Sequence, residues 1–141
     1  MKKIITTTVF AVMAFAGTLS AQEVSKVQRL AIQSDNVEMF KKAFPKSDYD
    51  KCLSVKDLST TMLSFSIKYK RNTIANYLIA NNSDINKTCD GHTPLMTAAK
   101  YGNVDMVKTL LSKGADKHKK NNEGKTAKQL AVEMQETAAV A

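Results

Sequence analysis

Few side chains in this 141-residue sequence could carry chemistry. They are two cysteines, Cys52 and Cys89, and two histidines, His92 and His118. A pair of thiols can form a fixed disulfide, act as a reversible redox switch, or join imidazoles on zinc. The zinc option lacks the close C-x-x-C spacing that such sites use. For redox use, Lys51 would favour the Cys52 thiolate, whereas Asp90 would oppose ionisation of Cys89. Neither histidine is flanked by a glycine elbow, a metal-ligand spacing or a phosphate loop. A catalytic centre needs nucleophile, base and orienting group together. The expectation is therefore no enzyme, no catalytic residue, no metal and no cofactor, with both histidines solvated.

What the thiols do depends on where the chain resides. Residues 1–21 read as a signal peptide, with Lys2 and Lys3 as the basic start and an uncharged run from Ile4 to Ala16. Ala21 suits the residue before the cut, although Leu19 is large for the −3 position. Threonines dilute the stretch, and a membrane span needs about 20 predominantly apolar residues. No membrane insertion after cleavage is expected. An uncut leader would be needed for membrane attachment, because no cysteine lies near enough to carry a lipid. The style of the leader is bacterial, and the expected location is periplasmic or secreted. In such oxidising surroundings a Cys52–Cys89 disulfide is allowed.

The composition, 43% apolar and 24% charged, suits a soluble globular chain. Aromatics are only 6% and tryptophan is absent, which argues against a β-sandwich. The net charge is +8. The basic run at 113–125 has no interleaved aromatic for base stacking, so it reads as a solvated loop and no nucleic-acid partner is expected.

The elements that position these residues recur. Within 90–118, Thr93-Pro94 can open a helix, with threonine capping and proline in the first turn. Leu95, Ala98 and Ala99 give its buried face, and Gly102 its stop. Val104, Val107, Leu110 and Leu111 give the inner face of a second helix, ended by Gly114. Further on, Gly124, Thr126 and Ala131 repeat Gly91, Thr93 and Ala98, followed by one helix only. Backwards, Thr61, Leu63, Ile67, Leu78, Ile79 and Asp84 repeat the pattern, with its glycines replaced by Ser59, Lys70 and Asn82. Lysine tolerates the left-handed conformation poorly. Ala31, Asn36, Val37, Met39 and Phe44 give a fainter earlier copy, SDYDKC echoes SDINKTC, and 53–57 reads as an insertion.

Gly91, Thr93, Pro94, Leu95, Ala98, Ala99, Gly102, Leu110, Leu111, Gly114, Ala115 and Asp116 together resemble the ankyrin repeat. Met96 departs from it, standing where the family usually has a histidine that ties neighbouring turns together. The resemblance implies an all-α solenoid of helix-turn-helix units joined by hairpin loops. The domain would span 22–141, with repeats at about 25–52, 57–88 and 89–121 and a capping half-repeat at 122–141. A terminal cap should present a polar outer face.

The family's concave groove and hairpin tips usually contact partners. That assigns partner binding to Lys68, Tyr69, Lys100 and Tyr101, and to Thr60, Asp90, His92, Glu123 and Lys125 at the tips. The implied function is a monomeric, non-enzymatic module binding another protein, such as an envelope client or a toxin held inactive. The stacked register also sets Cys52 and Cys89 in adjacent hairpins. A bond there would close a loop of roughly 38 residues and stabilise by about 4 kcal/mol. The early position of Cys52 leaves two free, separated thiols as the other outcome.

Overall fold

The computed structural model describes residues 22–140; the expected leader, 1–21, lies outside the described residues. Three helix pairs follow one another: α1 (Lys26–Gln33) with α2 (Val37–Ala43), α3 (Met62–Lys68) with α4 (Asn72–Ala80), and α5 (Pro94–Lys100) with α6 (Val104–Ser112). A lone α7 (Ala127–Val140) ends the stack. Helix α3 packs on α5, α5 on α7, and α2 on α4. The helical-repeat fold expected from the pattern is the fold observed.

Local chemistry sets the helix ends as expected. Thr93 caps α5, its hydroxyl accepting from the Met96 N–H at 3.2 Å, and Pro94 takes the first turn. Met96 is buried, and its sulfur accepts from the Thr93 N–H at 3.5 Å. Asp35, Lys70 and Gly102 turn the chain between the helices of each pair, all left-handed at φ 50°, 55° and 65°. Lys70 thus adopts the conformation it tolerates poorly. Gly91, at φ 74°, is held for a second reason: an added Cβ would lie 2.6 Å from the Asn122 side chain.

Polar side chains tie the layers. The Asp35 carboxylate accepts from the N–H groups of Thr73 and Ile74, at 3.2 and 2.9 Å. It supplies the cap that Arg71 does not. Asn103 caps α6 and donates to the Ile67 carbonyl at 3.1 Å and to Asn72 at 2.8 Å. Asp50 and Asn86, equivalent members of the echoed hairpin sequence, accept from the N–H groups of Asp84 and Asp116, at 2.8 and 2.9 Å.

The mostly helical fold carries one small sheet. Residues 53–57, read as an insertion, belong to an antiparallel hairpin of β2 (Leu53–Val55) and β3 (Leu58–Thr60), with β1 (Gln22–Glu23) parallel to β2. Lys56, at φ 56°, provides the positive φ that a two-residue hairpin turn needs. Ser59, the expected glycine equivalent, lies in strand and needs no left-handed backbone. Of the two outcomes open for the cysteines, the structure has the disulfide: Cys52 and Cys89 are bonded, with Cα atoms 5.9 Å apart. The β2–β3 hairpin lies against the next one, where the Ser59 N–H donates to Asp90 at 2.8 Å. One expectation needs correction: the inner face of α6 is narrower than the periodicity indicates. Met106 and Leu110 are buried, but Val104 is 59% and Leu111 44% exposed.

An aromatic cluster anchors the first repeat. Phe40 packs against Phe44, Tyr49 and Tyr77. The Tyr49 and Tyr77 hydroxyls meet at 3.2 Å. Burial, then this hydrogen bond, pushes the Tyr49 hydroxyl well above the usual tyrosine range.

Two stability measurements follow. Opening the disulfide by reductant, or by Cys52→Ser with Cys89→Ser, is expected to remove about 4 kcal/mol in denaturant unfolding. Lys70→Gly is expected to raise the unfolding free energy by about 0.5–1 kcal/mol, relieving left-handed strain against glycine's larger unfolded-state entropy.

Candidate functional site

The rim of expected contact residues is built where each first helix ends. Tyr69 and Tyr101 are the C-terminal caps of α3 and α5, 49% and 39% exposed. Repeat stacking brings their lysines into one array. The Lys68 ammonium lies 5.4 Å from the centre of the Tyr69 ring and 5.2 Å from that of Tyr101. The Lys100 ammonium lies 5.9 Å from the Tyr101 centre. Lys68 therefore bridges two repeats, and both rings present a face to a cation. The Tyr69 ring rests on Phe65 at 4.8 Å, which fixes the end of the array.

Six of the nine expected contact residues line one small pocket of about 80 Å³: Thr60, Lys68, Asp90, His92, Lys100 and Tyr101. It opens between β3, α3, the 89–92 hairpin and α5. Asp90 is held by the Ser59 N–H, and its own carbonyl lies 3.1 Å from the His92 Nδ1. Ser64, unmarked in the sequence, also lines the pocket; its buried hydroxyl has no hydrogen-bond partner among the described residues. Thr60 differs from expectation. It lies in β3 and is buried, because the hairpin that replaces a simple tip folds over it.

The last tip stands apart. The Lys125 ammonium contacts Glu123 at 3.0 Å and Glu133 at 2.7 Å. Glu133 on α7 raises the Lys125 ammonium above its ordinary value, with Glu123 contributing next; the Lys125 hydrogen bond in turn lowers Glu123. Glu123 and Lys125 thus pair with each other and with α7, and Glu133 is the partner sequence reasoning missed.

A second concavity, about 940 Å³, opens between α5, α6 and α7. Val104, Val107, Leu111, Ala131 and Met134 line it, and His118 is at its edge. Most of its apolar lining comes from the third repeat, and the exposed positions of α7 include Lys128, Gln129, Glu133 and Gln135. No group of three or more possible metal ligands occurs among the described residues. No helix of the described residues is long and apolar enough to cross a membrane.

Stacked helix pairs with a polar concave rim define a helical-repeat scaffold. The family model for ankyrin repeats (3 copies) matches residues 29–121 and again 84–141. The chain belongs to the ankyrin-repeat family, whose members are generally protein–protein interaction modules and typically not enzymes.

The tip predicts a titration. A lowered carboxyl pKa means that the Glu123–Lys125 contact is present above the ordinary value and is lost as pH falls through the lowered one. Carbon-detected NMR is expected to place the Glu123 midpoint below 4.5, and Lys125→Met to move it back up.

Proposed function

We propose that this chain is a non-catalytic protein-binding module that works outside the cytoplasm and grips its partner with the concave rim. The observation that carries this reading is the Lys68–Tyr69–Lys100–Tyr101 array. Its exposed aromatic faces lie beside two ammonium groups, spaced by the repeat itself. Tyrosine suits such a face because it buries a large area with few rotors and keeps a polar tip. Asp90 and His92 extend the rim through the shared pocket.

Two features support export: the signal-like composition of 1–21 and the Cys52–Cys89 bond. Cys89 is only 7% exposed, which favours a static staple over reversible thiol exchange. The partner in this reading is a protein rather than nucleic acid, and the module is a monomer when free.

Affinity capture from the native envelope tests the reading. Tyr69→Ala with Tyr101→Ala is expected to abolish capture while the thermal midpoint shifts only slightly, since both rings are substantially exposed. Undiminished capture by the folded double variant would rule the rim out.

A further inference from the structure

The apolar groove beside α7 lies where the α6 face has no helix packed on it among the described residues. On α6, Val107 and Leu111 take the places that Ala75 and Ile79 take on α4. Ala75 is fully buried and Ile79 partly buried in a repeat that has a successor, whereas Val107 is only partly buried. Leu111 remains 44% exposed in a repeat followed by one helix alone. Helix α7 forms the other wall with Ala131 and Met134, and no helix among the described residues returns along it. The exposed row from Val104 to Leu111 spans two turns, about 10 Å at helical rise. That is the footprint of one more helix, set parallel to α6.

Charge decides which helix fits. Lys100, Lys117, Lys128 and His118 border the groove, and no acidic residue among the described ones does. A second copy of this chain would bring the same cations face to face. A flat bilayer surface cannot reach into a trough sunk between helices. We infer that the groove takes an amphipathic helix of a partner protein, apolar on one face and carrying aspartate or glutamate on its flanks. Bound there, it packs beside α7 as a second helix against α6. Helix-in-groove recognition needs anchors at i, i+3, i+4 and i+7, which is the periodicity the walls present.

The test uses the full mature chain with a fluorescent synthetic helix of about 14 residues. The helix carries leucines at that spacing and flanking glutamates. Controls carry lysines for the glutamates, or the same residues in scrambled order. The acidic helix is expected to bind saturably, to weaken as salt rises, and to shift the methyl NMR signals of Val104, Val107 and Leu111. Leu111→Asp should weaken it at least tenfold, and Lys117→Glu with Lys128→Glu should transfer preference to the lysine peptide. Val104→Asp, at the most exposed wall position, serves if Leu111→Asp does not fold. Tyr69→Ala, which lies outside the groove, should leave peptide binding unchanged, so the rim and the groove can fail separately.

Absence of binding, or equal binding of the lysine or scrambled helices, would overturn the inference. So would concentration-dependent self-association that Leu111→Asp abolishes. Binding to phosphatidylglycerol vesicles lost in the same variants, without peptide binding, would overturn it too.

Discussion

Stacking in one dimension is the constraint on which this structure depends. Each helix pair buries one side against the pair before it and leaves the other for the pair after. Leu78 and Leu110 reach complete burial because they face inward within their own repeats. Leu111 and Val104 depend on the next repeat and remain exposed. The polar ties obey the same rule. Asp35 reaches forward to cap α4, Asn103 reaches back to α3 and α4, and Asp50 and Asn86 accept from successive backbones. Such ties satisfy backbone groups that would otherwise lie unpaired between layers. The disulfide adds one covalent link across the second repeat, whose pattern has lost its glycines.

The third repeat was legible because its devices are local. Thr93, Pro94 and Gly102 act through their own backbone geometry, so residue type and spacing suffice to place them. The second repeat was read less completely. Lys70 takes the left-handed turn because helices on both sides impose it, and no local preference announces this. The β2–β3 hairpin is too short for an alternating pattern to stand out, so Thr60 read as an exposed tip. The disulfide stayed open for the same reason: whether Cys52 reaches Cys89 depends on how that hairpin lies. The Phe40–Tyr49–Tyr77 cluster joins residues from separate elements and leaves no periodic trace. Inter-repeat burial was over-read on α6, since a hydrophobic stripe reports the face that seeks a neighbour, not whether the neighbour is there.

The two concavities follow from the two ways in which a finite stack meets solvent. Along its side, equivalent positions of successive repeats come into line, and side chains of one type become an array. Lys68 and Lys100 both approach the Tyr101 ring, which attracts each ammonium without neutralising either. An exposed contact of this kind contributes about 0.5–1 kcal/mol. The lysines are thus held in place cheaply and keep their charge available to an incoming group.

At the end of the stack the balance is reversed, because apolar surface rather than charge is left unmatched. Ser64 shows the same logic inside the rim. A buried hydroxyl without a partner costs about 1–3 kcal/mol. The pocket of about 80 Å³ beside it has room for a water or for a polar atom brought by a partner. A small pocket with an unpaired hydroxyl beside two lysines and an apolar trough bordered by lysines ask for different anchors, yet both favour an acidic ligand. Binding at the rim should therefore weaken with salt, as binding in the groove does, while only the groove gains from a longer apolar face.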